Sequence, residues 1–92
     1  MSVNSEFSYH LNKLAEECGE LVQATMKTNI FGIDSVNPDT GISNRDRLKK
    51  EIGDVIVSAE IVAESLGIEI TPEFKRERRE QLRHYYLLSQ MA

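Results

Sequence analysis

The sequence has no tryptophan, one cysteine, two prolines and five glycines. A single thiol cannot close an internal disulfide, so Cys18 fits a reducing compartment, and the cytoplasm is the expected address. Sparse glycine and proline exclude a low-complexity or disordered chain. Long apolar runs are missing as well. Nothing approaches the roughly 20 residues of a membrane-spanning helix, and residues 1–7 lack the basic and apolar stretches of a secretory leader. Excess positive charge is also absent: the formal net charge is −4. That balance argues against nucleic acid and membrane surfaces as partners held by bulk electrostatics.

What remains is a short, charged, helix-forming chain. Its 92 residues suit one domain, 1–92, with no room for a second core. A monomer of this size buries only roughly 60–65% of its unfolded surface, so assembly with further copies would add needed burial. Phe7, Leu11, Leu14, Cys18, Leu21 and Thr25 recur at spacings of four and three, which predicts a helix over about residues 5–29. Residues 30–43 hold Gly32, Asn37-Pro38-Asp39 and Gly41, all turn or loop signals. Ser43 or Asn44 can cap a second helix, in which Leu48, Ile52, Val55, Ala59, Val62 and Leu66 keep the same rhythm up to a stop at Gly67. Thr71 and Pro72 supply a cap and first turn for a third, over about residues 72–89. No stretch alternates convincingly as a strand. The expected fold is all-α: an antiparallel bundle of three helices per chain, with a four-helix core completed by oligomerisation.

The chemistry is concentrated in two acidic motifs, Glu16, Glu17 and Glu20 in EECGEL at 16–21, and Glu51 and Asp54 in KKEIGDVI at 49–56. Acids three residues apart on a helix share a face. Glu17 and Glu20 lie beside Leu21, while Glu51 and Asp54 flank Ile52 and Val55, so each pair is expected at the half-buried rim of an apolar stripe. Two antiparallel helices would bring four carboxylates together, and their mutual repulsion in a partly dry site calls for a cation. Mg²⁺, or Mn²⁺ in its place, prefers such oxygen ligands. The bland alternatives are ordinary ones. Acid pairs are common on solvated helix faces. Cys18 reads as a small core residue, and His10 and His84 as surface or boundary residues. Lys75, Arg76, Arg78, Arg79 and Arg83 alternate with Glu73, Glu77 and Glu80, as a salt-bridged solvated helix would, although part of the cluster could contact phosphate. Tyr85, Tyr86, Leu87 and Leu88 read as packing or a subunit contact.

The two motifs, the loop between them, and the FG at Phe31-Gly32 and NRDRL at 44–48 resemble the MazG-like all-α nucleoside triphosphate pyrophosphohydrolases, over residues 11–66. The resemblance implies Mg²⁺-dependent hydrolysis of a nucleoside triphosphate between its α and β phosphorus atoms, giving a monophosphate and pyrophosphate. It also implies assembly into a homodimer or homotetramer. Carried onto this chain, Glu17, Glu20, Glu51 and Asp54 match the family's metal-binding acids, and Glu16 matches the additional leading acid, read here as a catalytic group that either supports the metal ligands from outside or orients water. The spacer between the motifs is slightly longer than the family's usual one. The segment after Gly67 matches its basic helix only loosely; Arg79 and Arg83, with Lys75 behind them, are the substrate-binding candidates there. Phe31 is expected in a loop that closes over the nucleotide, either stacking on the base or anchoring the loop to the core.

Such chemistry needs no nucleophilic side chain and no glycine-rich phosphate loop, because positioning and charge supply most of the acceleration in phosphoryl transfer. Three other readings use the same residues. A phosphoribosyl-ATP pyrophosphatase-like enzyme would act on another substrate by the same reaction. A di-iron bundle would need Glu-x-x-His pairs, which this sequence does not contain. A non-enzymatic helical module would explain the heptad rhythm but not the converging acids.

Overall fold

Side-chain caps decide where the helices start. In the computed structural model, which describes residues 4–91, Asn4 Oδ1 accepts from Phe7 N at 2.7 Å and opens α1, Ser5–Phe31. Ser43 Oγ accepts from Asp46 N at 3.1 Å and opens α2, Asn44–Ser65. Thr71 Oγ1 accepts from Phe74 N at 3.0 Å ahead of α3, Pro72–Met91. Each cap satisfies a backbone N–H that the first turn leaves without a partner. Gly67, at φ 67°, ends α2: its N–H reaches Glu64 O and the next N–H, of Ile68, reaches back to Ala63 O. This is the paired closure that favours a left-handed glycine. The three helices, with no named strand among the described residues, match the expected class. No helix among them is long and apolar enough to cross a membrane. The reading of residues 1–7 falls partly outside the described residues.

α1 and α2 pack as an antiparallel pair. The end of α1 meets the start of α2, where Asn44 Nδ2 donates to Gly32 O at 2.8 Å. Further along the seam Glu17 faces Glu51 and Asp54. The positions of α1 that turn inward are His10, Leu14, Glu17, Leu21, Ala24 and Thr28, another four-and-three series rotated from the expected stripe. Cys18, expected in the core, is exposed, as is Leu11. The reason is that the pair packs on the edge of the apolar arc where the acids begin. The rest of the arc stays open on one side of the hairpin, with Leu11, Val22 and Met26 on α1 and Ile52 and Ile56 on α2.

The connection differs from expectation in two ways. α1 continues through Ile30 and Phe31, so Phe31 sits on the last helical turn and the loop begins at Gly32, whose φ of 98° breaks the helix. The loop also has structure of its own. Val36 and Ser43 form an antiparallel bridge, Asn37 N donates to Ile42 O at 3.0 Å, and Asn37 Oδ1 accepts from Asp39 N at 2.8 Å. Arg45 reaches back to Asp34 at 3.3 Å. The result is a small folded cap rather than a slack tether.

α3 leaves the pair. It makes no helix-to-helix packing with α1 or α2 and buries none of its described residues. Phe74, Leu82, Tyr85, Tyr86, Leu87 and Leu88 all remain exposed. The radius of gyration is 16.5 Å, against about 12 Å for a compact domain of this length.

Candidate metal centre and the groove beside it

The most deeply buried side chains of the helix pair include two carboxylates. Glu17 and Glu51 are only 6% and 5% exposed, and Ala24 is the one hydrophobic residue in that class among the described residues. Of the four acids expected at a half-buried rim, Glu17 and Glu51 lie instead at the centre of the seam, while Glu20 and Asp54 keep intermediate exposure. Glu17, Glu51 and Asp54 each present an oxygen within 4.8 Å of the others. The inner oxygens, Glu17 Oε2 and Glu51 Oε2, are buried without a hydrogen-bond partner. A buried carboxylate oxygen without a donor is costly, and two facing each other add like-charge repulsion.

Two lysines partly offset that charge from outside. Lys13 Nζ lies 3.2 Å from Glu17 Oε1 and 3.5 Å from Glu16 Oε1. Lys50 Nζ lies 2.9 Å from Asp54 Oδ2 and 3.7 Å from Glu51 Oε1. Both approach the outer oxygens of Glu17 and Glu51 and leave the inner ones bare. Hydrogen bonding to Glu17, then the charges of Glu16 and Glu17, hold the Lys13 ammonium above its ordinary range. Lys50 is raised likewise, first by its bond to Asp54 and then by the charges of Asp54 and Glu51. Glu20 stands at the edge of the cluster. The charge of Glu17 is the main cause that pushes its carboxyl up, followed by burial and the charge of Glu51. An all-oxygen donor set with unsatisfied inner atoms is the environment a hard divalent cation fills. Glu17, Glu51 and Asp54 fit one, with Glu20 adjacent.

Of the remaining candidates, Glu16 is exposed and touches the cluster through Lys13. Phe31 is 66% exposed in the single chain and lines a pocket of about 310 Å³ with Val36, Asn37 and Pro38. Lys75 and Arg79 line a different cleft, of about 540 Å³, with Ile56, Ala63 and Ile70 near the far end of α2. None of the four motif acids lines the cleft that Lys75 and Arg79 line. Arg83 is exposed further along α3.

The cavity that does adjoin the acids, about 500 Å³, is lined by Glu51 and Lys50 together with Arg47, Lys27, Asn37 and Ile42. Sequence reasoning missed its cations. Their spacing held a usable signal, since Lys50 stands one turn before Asp54 and Arg47 one turn before Glu51. Lys27 lies two turns beyond Glu20 on the same side of α1.

Comparison with curated proteins and with solved structures returned no match. The family comparison is positive: residues 6–81 match the MazG nucleotide pyrophosphohydrolase domain, a span that takes in both acidic motifs, the folded loop and the first half of α3. With the motif acids gathered across the α1–α2 seam as described, the chain belongs to the MazG nucleotide pyrophosphohydrolase family.

Proposed function

We propose that the protein hydrolyses nucleoside triphosphates between the α and β phosphates, in the presence of Mg²⁺ or Mn²⁺, to a nucleoside monophosphate and pyrophosphate. The observation that carries this reading is the pair of bare inner oxygens on Glu17 and Glu51, buried together in a chain of this family. Such a pair is a poor structural element and a good anionic cradle. In this reading Glu17, Glu20, Glu51 and Asp54 hold the cation. When bound, it supplies charge neutralisation for the phosphates and acidifies a coordinated water.

The chain's own groups do the rest. Glu16, outside the cradle and next to Lys13, orients the attacking water and takes up its proton. Water adds its oxygen at one phosphorus of the α–β anhydride, and the bridging oxygen leaves with the other phosphate fragment. Lys13 and Lys50, paired with these acids in the absence of substrate, hold the carboxylates in position. Phe31 packs against the base. Lys75, Arg79 and Arg83 contact the phosphate tail from the α3 of another copy; the cleft that Lys75 and Arg79 line in their own chain includes none of the motif acids. Assembly as a homodimer or homotetramer follows from the apolar surface left open on both parts of the chain. Val22 and Ile56 on the helix pair, and Leu82 and Tyr86 on α3, would enter a shared four-helix core. The role that suits such an enzyme is control or cleansing of the cytoplasmic nucleotide pool.

The test is pyrophosphate release from a panel of canonical and modified nucleoside triphosphates with Mg²⁺, with and without a chelator. Monophosphate and pyrophosphate appearing together, and only without the chelator, is the expected result. Orthophosphate as the first product, or no turnover across the panel, defeats the reading.

A further inference from the structure

Two cavities meet at Lys27. The larger, about 500 Å³, runs from Glu51 and Lys50 past Arg47. The smaller, about 310 Å³, ends at Phe31, Val36 and Pro38. Lys27, Asn37 and Asn44 line both, so the two form one groove leading from the acid cluster to the exposed aromatic ring. Among these shared residues Lys27 is the cation, and among the described residues it forms no salt bridge. Lys13 and Lys50, by contrast, are each engaged by a carboxylate. In a chain of net charge −4, an unpaired ammonium at the waist of such a groove is available to a ligand's negative charge.

The neighbouring groups limit where along a nucleotide that charge would lie. Asn37 has its backbone N–H, its carbonyl and its Oδ1 all bonded within the loop, so the loop wall is fixed opposite Lys27. Asn44 is tied to Gly32 O through its Nδ2. The acid end of the groove suits a metal-bridged phosphate chain and the Phe31 end suits a flat, uncharged ring. A nucleotide laid along the groove in that sense would put between them the phosphate that stays attached to the nucleoside. We infer that Lys27 binds the α-phosphate, the one retained by the monophosphate product, and so sets how far the nucleoside reaches toward Phe31. This rests on the nucleotide-hydrolase reading above and adds to it a positioning residue on α1, apart from the acidic motifs and the α3 cations. A charge-assisted N–H···O contact of this kind corresponds to a loss on the order of tenfold or more in affinity when removed.

Binding without turnover tests this directly. Titration calorimetry of the full-length protein with Mg²⁺ would use dUMP, dAMP and inorganic pyrophosphate as separate probes, on wild type, Lys27→Gln, Lys27→Arg and the exposed control Lys49→Gln. The expected result is that Lys27→Gln weakens the better-bound monophosphate about tenfold and leaves pyrophosphate within about twofold. Lys27→Arg should recover most of the loss, and Lys49→Gln should change neither. Equal weakening of monophosphate and pyrophosphate would make Lys27 a general attractor of anions, and unchanged monophosphate binding would remove it from the groove's function; both overturn the inference while leaving the nucleotide-hydrolase reading standing. Wild-type protein that binds none of the probes overturns both. A thermal melt of each variant separates weakened binding from lost folding.

Discussion

The α1–α2 pair and α3 are both rich in charge, but they place it in opposite surroundings. On α1–α2 the motif acids are drawn into the seam, where Glu17 and Glu51 are nearly solvent-free and carry bare oxygens. On α3 the charges alternate in sign and lie in solvent, as Glu73 and Arg76 do at 3.8 Å. A solvated pair at that distance contributes little to stability, because water and salt screen it. The contrast separates two uses of the same residue types. Charge left exposed keeps a helix soluble. Charge buried without a partner destabilises the fold, and its persistence points to a ligand that completes it.

The sharpest way to break that contrast is to neutralise one member of the seam. Glu51→Gln should lower turnover on the order of a thousandfold and remove most of the metal-induced rise in Tm. The metal-free variant should melt higher than wild type. Its amide can donate to the bare oxygen of Glu17, and a gain of about 1 kcal/mol corresponds to roughly 4–8 °C at this size. Wild type, for its part, should gain stability with Mn²⁺ or Mg²⁺ and return to its original Tm with chelator, since a ligand that binds only the folded state stabilises it. A Glu51→Gln protein that keeps near-normal turnover would remove Glu51 from the cradle. A metal-free melt unchanged by the substitution would mean that the seam is not electrostatically strained.

The next largest effect is expected at α3, whose apolar residues have no cover in the single chain. Leu82→Glu places a charge on a helix that, in the proposed oligomer, enters a shared core. Sedimentation should show wild type as a dimer or tetramer at micromolar concentration and the variant shifted to smaller species. The melt should fall by about 2–4 kcal/mol equivalent if Leu82 is buried between copies. The metal-induced rise in Tm should persist to the extent that α1–α2 holds the cation by itself. Wild type sedimenting as a well-folded monomer would contradict the proposed assembly.

Much of the fold was legible because helix signals are local. Asn37-Pro38-Asp39, Gly67 and Thr71-Pro72 mark their turns and caps by side-chain and backbone chemistry that depends on few neighbours. The motif acids were legible for the same reason, as type and spacing on a helix. What escaped was how each helix is rotated about its axis. The apolar arc of α1 is wide enough to pack through Leu14, Leu21 and Ala24 or through Leu11, Cys18 and Val22, and periodicity does not choose between them. That rotation is what puts Glu17 in the seam and Cys18 outside it. The groove was hidden differently: the spacing of Arg47 and Lys50 to the motif acids is local, but their sharing one cavity with Lys27, Asn37 and Ile42 depends on the loop folding back as a cap.

A smaller effect should appear in the pH dependence of the metal-free protein. Glu20 is held above its ordinary 4.5, mainly by the charge of Glu17. A raised carboxyl binds its proton more tightly in the folded state. The stability it contributes is therefore fully present below the ordinary value and is lost as pH rises through the higher, folded one. Metal-free wild type should lose stability across that mildly acidic interval, and Glu20→Gln should flatten the slope there. The lysines act at the other end: Lys13 and Lys50, raised above 10.5, lend stability that disappears only as pH climbs past that point. A Glu20→Gln melt with the same acid-side slope as wild type would assign the slope to other carboxyls.

The smallest effect is expected at Phe31, where the comparison concerns the two ends of the groove. One end holds buried charge that must be neutralised. The other is an open aromatic ring on the last turn of α1, 66% exposed and opposite Val36 and Pro38. Truncating a ring this exposed opens no cavity in a core, so Phe31→Ala should leave the melt within about 0.5 kcal/mol of wild type. Stacking on a base contributes about 1–3 kcal/mol, so KM should rise between about fivefold and a hundredfold while kcat changes little. Base preference should also blur, because the lost contact is one that every base shares but larger ring systems use more fully. Comparing purine and pyrimidine triphosphates on one variant isolates this, since their phosphate tails meet the same acids. A drop in the melt with KM unchanged would make Phe31 a support for the loop instead, and base selection would then have to come from the polar groups of Asn37 and Asn44.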